Sequence, residues 1–289
     1  PNPRALPGAT MKQAFQALGS RKMTFRVDSE MTKPPMHWSL VPQFHDLERA
    51  EAYKRGVYTL MREYAGRSAD APDGTARYAV LATYLDSPNA DAEVPTCGEA
   101  EVERTAVCDG FAYSIRYENH ISGECLRLEF RTLADRFRSL TGEWRIRTEN
   151  RAAGSYNTFS CTGRMERQGE KKTVRLTFDT GLTIAPATLA GDAPATANWA
   201  LPDLLAQGGL RDCDRFAILD DLEKTCTGNR LLELGSWHLP GGAGGGVLHG
   251  LCVQGPHRNP AFYWFDDAQQ VALFGNTSYT FVRIPLRNE

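Results

Sequence analysis

From residue 76 onward the chain falls into runs of strand length in which apolar and polar residues alternate. ARYAVLATYLD, GEAEVERTAV, FAYSIRYENH and CLRLEFRTL come first, then GEWRIRTENR, NTFSCTGRMER and KTVRLTFDTG, with Gly, Asn or Asp at most joints. A period of two sends successive side chains to opposite faces of a pleated strand, so each run offers one face to a core and the other to water. Near residue 194 the pattern changes: PATANWALPDLLAQGG reads as a short helix inserted between strands, with Pro202 near its first turn and Gly208 as its stop. DRFAILDDL, NRLLELGSWHL and GGVLHGLCVQG are further strands, and QQVALFGNTSYTFVRIPL closes the chain as two strands around Phe274-Gly275-Asn276. Many consecutive strands with one inserted short helix argue for a mainly β fold, an antiparallel curved sheet or open barrel.

Residues 1–75 stand apart as an α-containing N-terminal segment, leaving 76–289 as the β-rich domain. MKQAFQALGS predicts a short helix, KMTFRVDSEM a half-buried strand, and TKPPMHWSLVPQ a proline-broken crossing segment. Asp46 caps the clearest helix, LERAEAYKRGVYTLMREYAG, whose apolar residues recur every three and four positions up to the stop at Gly66. RSADAPDGT then reads as a linker.

The 289 residues carry 33 Lys and Arg against 35 Asp and Glu, a net charge of −2 with no basic cluster, so nucleic acid is not an expected partner. No apolar run reaches the 18 to 20 residues that a membrane-spanning helix requires, so no transmembrane segment is expected. Because the chain begins at Pro1, a removed signal peptide is the expectation.

Seven cysteines, none in Cys-x-x-Cys spacing, point to an oxidising compartment, periplasmic or secreted, with two or three disulfides and not to a zinc site; the alternative is a set of buried, reduced cysteines acting as small hydrophobes. Cys213 and Cys226 bracket DRFAILDDLEKT, a span one bridge could close; the odd count leaves at least one thiol outside any intrachain pair. Cys108-Asp109-Gly110 lies between two alternating runs, the strongest hairpin signal in the chain, so Cys108 reads as a structural cysteine at a strand turn.

The other motifs read blandly. LPGGAGGGVLHG lacks the Lys-Ser/Thr of a phosphate loop and the spacing of a dinucleotide fold, so neither cofactor nor metal is expected. His238, His249 and His257, with Cys252 and Asp266 or Asp267, could form a thiol-hydrolase group, the alternative function in the 237–267 region. Asp220, Asp221 and Glu223 read as turn acids, and Arg145, Arg147, Arg164 and Arg175 as the solvated face of an antiparallel sheet.

The order of these motifs resembles the bacterial envelope-integrity protein B family of periplasmic β-spiral proteins. The likeness runs over about 76–289. It starts with ARYAVLATYLD and the strand ending in Cys108-Asp109-Gly110-Phe111, continues through GEWRIRTENR, SCTGRMER and VRLTFD, and reaches the helix-containing insert and VALFGNTSYTFVRIPL. The family's Pro-His-Arg opening is absent before Ala79, and no cysteine lies beyond Cys252 to match the family's C-terminal one. The resemblance implies a β-spiral and a disulfide from Cys108 to Cys252 or another cysteine. It also implies a non-enzymatic scaffold or binding protein supporting the cell envelope, its partner a lipid, a peptide or another envelope protein. A concave β groove would hold such a ligand, with Tyr113, Ile115, Tyr117, Trp144 and Ile146 as lining candidates, although opposite strand phases would let only some of them face inward.

Overall fold

Alternation becomes architecture once each strand finds its neighbours. A computed structural model describes residues 74–82, 96–151, 157–190, 193–238, 246–256, 258–276 and 278–284. The helices and strand expected before residue 74 lie outside the described residues.

The chain first lays down β1 (Thr75–Ala82), β2 (Thr96–Val107), β3 (Gly110–Asn119), β4 (Glu124–Leu133), β5 (Leu140–Asn150), β6 (Asn157–Gln168), β7 (Lys171–Phe178) and β8 (Thr183–Ala190). After β9 (Ala195–Ala197) comes a 3-10 turn (Asn198–Ala200) and the one described α-helix, α1 (Leu201–Ala206). The chain continues as β10 (Phe216–Asp220), β11 (Lys224–His238), β12 (Val247–Gly255), β13 (Arg258–Phe265), β14 (Val271–Gly275) and β15 (Tyr279–Ile284). All fifteen strands join one sheet in the order β8-β7-β6-β5-β4-β3-β2-β1-β15-β14-β13-β12-β11-β10-β9. Every pairing is antiparallel except β9 with β10. The two halves meet where β1 pairs with β15, Val80 opposite Phe281. The sheet is curved and open: β8 comes beside β11, and β9 beside β5, without closing the ladder.

Three strands escape the sequence pattern: β9, which falls inside the run read as a helix, and β8 and β13, each of which contains a proline. Pro186 sits on the edge strand β8, where a missing N–H costs least. Pro260 sits where the β12–β13 register slips between Val253 and Gly255. At the β2–β3 hairpin, Val107 pairs with Gly110 around a two-residue turn, Cys108-Asp109. Gly110 is needed for close approach: a Cβ there would meet the Thr132 carbonyl oxygen of β4 at 1.8 Å.

The inner face carries the main core. Ile115, Leu128, Ile146 and Cys161 form one cross-strand row over β3, β4, β5 and β6. Tyr113 stacks on Phe130 at 4.8 Å in the next row but one. All five groove-lining candidates, Tyr113, Ile115, Tyr117, Trp144 and Ile146, are buried on this face. They pack into the same cluster as Ala197, Trp199, Leu219 and Leu222 of the segment 195–222, so the chain fills its own concave surface. Each such aliphatic side chain contributes roughly 1.5–3 kcal/mol on burial. The same segment drives Leu201, Leu204 and Leu205 of α1 against Tyr263 and Phe265. Its Trp199 meets Phe274 and Phe281 edge-on at 6.2 and 5.6 Å. On the opposite face, Trp237 and Trp264 form a smaller cluster with Leu248, Leu273 and Val282, their rings T-shaped at 5.8 Å. Gly250 belongs there because a Cβ would strike the Trp264 ring at 2.5 Å.

Candidate functional site

The insert is held at its rim by charge. Asp203, in the first turn of α1, pairs with Arg104 of β2 and accepts a hydrogen bond from the Tyr113 hydroxyl at 2.8 Å. Arg138 lies 3.6 Å from the same carboxylate, donates to Gln207 Oε1 at 2.5 Å, and stacks over the Phe111 ring at 3.7 Å. Burial first, then the Asp203 charge, holds the Tyr113 phenol well above its ordinary value, so it remains a donor. At the other end, Asp221 accepts from Trp199 Nε1 at 2.8 Å and Asn198 Nδ2 at 3.1 Å, and burial raises its pKa. Arg138, Leu210, Asp221 and Leu222 all take positive φ around this segment, a conformation costing about 1–3 kcal/mol each that the packing must offset.

Where α1 ends, the inner face opens into a cavity of about 300 Å³. Leu205, Leu251 and Phe265 form its apolar wall; Arg211, Glu233, Ser236, His249 and Gln269 form its polar rim. The register of β11 on β12 slips between Glu233 and Gly235, after which Ser236 stands directly opposite His249. Ser236 Oγ and His249 Nδ1 are 3.1 Å apart. His249 Nε2 lies 3.5 Å from Asp267 Oδ1. Asp267 is placed there by the β13–β14 turn, in which the Asp266 carboxylate accepts from the Gln270 N–H at 2.8 Å.

The sequence-derived groupings are rearranged. Cys252 is three residues from His249 on one strand, hence on the other face, and burial pushes its thiol up to about 11, so no Cys252–His249 group forms. The side chains of His238 and His257 lie outside the described residues. Ser236 carried no signal in the sequence; only the β11–β12 register reveals it.

None of the expected disulfides is formed: no cysteine is bridged to another. Cys226 pairs with Ile218 inside the sheet, whereas Cys213 lies before β10 begins at Phe216, and the two thiols are not bridged. Cys213 donates to the Arg215 carbonyl at 3.0 Å, while buried Cys226 donates to Asp220 at 3.3 Å, its pKa raised to about 11 by burial. Cys108 is exposed at its hairpin, and Cys252 is buried five strands away in the sheet.

The arginine row is a solvated outer face laced with ion pairs: Arg147 with Glu149 at 2.9 Å, and Arg164 and Arg175 with Glu166 at 2.6 and 2.9 Å. A shallow trough of about 590 Å³ on this face is lined largely by charged and polar residues such as Glu103, Glu129, Arg131 and Arg145. No group of His, Cys, Asp and Glu suited to a metal ion occurs among the described residues. No helix among them is long and apolar enough to cross a membrane.

Compared with known proteins, the chain matches no family model and no curated protein. Among solved structures it is similar to a β-barrel-like protein of the domain of unknown function DUF1849 from Brucella abortus. The two share 10% identity, with 75% of this chain and 97% of that chain covered and a TM-score of 0.47.

Proposed function

We propose that this chain is a binding protein of the bacterial cell envelope, periplasmic or secreted, that holds part of a lipid or peptide in the cavity beside α1. The observation that carries the binding role is the cavity itself. At about 300 Å³ it has the size of a small-ligand site, with an apolar wall of Leu205, Leu251 and Phe265 under a rim of hydrogen-bonding groups. Its volume suits the end of an acyl chain or one apolar side chain, because the insert occupies the rest of the inner face. The envelope setting is supported by the family resemblance at Cys108-Asp109-Gly110-Phe111 and by the order of the runs around it.

The test is titration with 1-anilinonaphthalene-8-sulfonate, an apolar ring system with an anionic head, followed by displacement with dodecanoate. Saturable binding of one dye per chain is expected, lost when Ser236→Trp fills the cavity from its exposed rim. Absence of saturable binding, or binding that Ser236→Trp leaves unchanged, refutes the assignment. Fractionation of cells expressing the full-length gene product tests the compartment independently.

A further inference from the structure

A binding cavity has no need of a hydroxyl, an imidazole and a carboxylate in series, yet Ser236 and His249 stand on its rim, with Asp267 on the far side of the His249 ring. We propose that Ser236 is a nucleophile and that the cavity supports acyl transfer from small esters with short apolar acyl groups. The inference rests on the reading of the cavity as a ligand site.

Geometry sets the roles. The Asp267 carboxylate faces Nε2 of His249 and favours the tautomer with its proton there. That leaves the lone pair of Nδ1 directed at the Ser236 hydroxyl, 3.1 Å away, the reach required of a general base. The two ring nitrogens thus exchange the roles they hold in the serine proteases, while the order of hydroxyl, base and orienting acid is kept. Leu205, Leu251 and Phe265 offer the acyl group an apolar wall, and the Arg211 guanidinium is the cationic group on the rim available to developing negative charge on the carbonyl oxygen. Ser236 and His249 are cross-strand partners on rigid strands, so their relative placement needs no loop closure.

In the reaction, Ser236 Oγ bonds to the ester carbonyl carbon as its proton passes to His249 Nδ1. The bond from that carbon to the leaving oxygen breaks, and the proton goes to the departing alcohol. Water then adds to the acyl-serine and gives a proton to Nδ1. The bond from the carbonyl carbon to Ser236 Oγ breaks, Oγ recovers the proton, and the carboxylic acid is released. The net change is ester plus water to acid plus alcohol. Because Asp267 is 72% exposed, its field is largely screened, and it acts as a positioning residue.

The experiment is labelling of the whole chain with an ethyl fluorophosphonate, read by intact mass and peptide mapping. Ser236 Oγ displaces fluoride from phosphorus, so one adduct per chain is expected, on Ser236. Ser236→Ala should abolish it, and His249→Gln should slow it about 100-fold or more. Asp267→Asn should slow labelling a few-fold and Asp267→Glu should restore it, a rescue that a purely structural residue would not show. All three substituted positions face solvent, and unchanged melting curves confirm that the variants fold. No adduct under excess probe, an adduct that persists in Ser236→Ala, or His249→Gln labelling at the native rate each overturns the proposal. If anilinonaphthalene sulfonate still binds while no label forms, the nucleophile fails and the ligand site stands; if neither occurs, both fall.

Discussion

Asp203 is the carboxylate on which the insert turns, and replacing it with alanine is the most informative perturbation. In the native protein it answers two guanidinium groups and a phenol, with Arg138 only 5% exposed. Without it, Arg138 keeps only the Gln207 oxygen at 2.5 Å and the Phe111 ring as partners for a buried charge. Removing one member of a buried ion pair costs roughly 3–5 kcal/mol. Asp203 is 20% and Arg104 28% exposed, so water compensates part of that loss. Asp203→Ala is therefore expected to lose about 3 kcal/mol, lowering Tm by about 6–12 °C for a domain of this size. Asp203→Asn keeps the shape and the Oδ1 acceptor and should lose only about 1–2 kcal/mol. Urea unfolding followed by tryptophan fluorescence measures both. In the Asp203→Ala background, Arg138→Met should recover part of the loss, a coupling of about 1–2 kcal/mol, because it removes the stranded charge. Alanine within 0.5 kcal/mol of native, or strictly additive effects with Arg138→Met, would refute the role of Asp203 in holding the insert.

Other outcomes follow from the same structure. Burial raises the Asp221 pKa, and burial together with Asp221 raises those of Glu223 and Glu124. Their contribution is fully present below the ordinary carboxylate value of about 4 and is lost as pH rises through the raised values. Asp221→Asn retains an oxygen for Trp199 and Asn198, so it should flatten that pH dependence and hold or raise stability at neutral pH, measured by denaturant midpoints across pH. Gly110→Ala forces a Cβ against the Thr132 carbonyl and should cost about 2–3 kcal/mol in chemical denaturation. Cys108→Ser should stay within about 0.5 kcal/mol of native, since the thiol is exposed and unbridged. In unreduced native protein, iodoacetamide should modify Cys108 first and reach Cys252 only after unfolding, as peptide mass mapping would show.

Local chemistry accounts for much of what could be read in advance. Alternation is a property of neighbouring residues, so β3, β5 and the inserted helix were visible, with Pro202 in the first turn and Gly208 at a φ of 74° just past the end. The outer face was visible for the same reason: Arg145, Arg147 and Arg164 fall on one phase of their strands. β8 and β13 were hidden by Pro186 and Pro260, which an edge and a bulge tolerate but a local pattern cannot place. Tyr113, Ile115, Tyr117, Trp144 and Ile146 could be named as large residues of an inner face, but the register Ile115–Leu128–Ile146 was needed to put them on the same one. His249 and Asp267 were recognisable as chemistry-bearing side chains, yet their partner Ser236 was not, because a register slip in β11 creates that pairing.

Local pattern is enough to make residues 76–289 mainly β with one short inserted helix, because strand period and helix signals act over a few residues. Folding in three dimensions is what brings β1 to β15, fills the concave face with the insert, leaves the cysteines unbridged, and sets Ser236, His249 and Asp267 in series. Those outcomes depend on distances between residues far apart in the chain, set by sheet curvature and strand register, which no local pattern encodes.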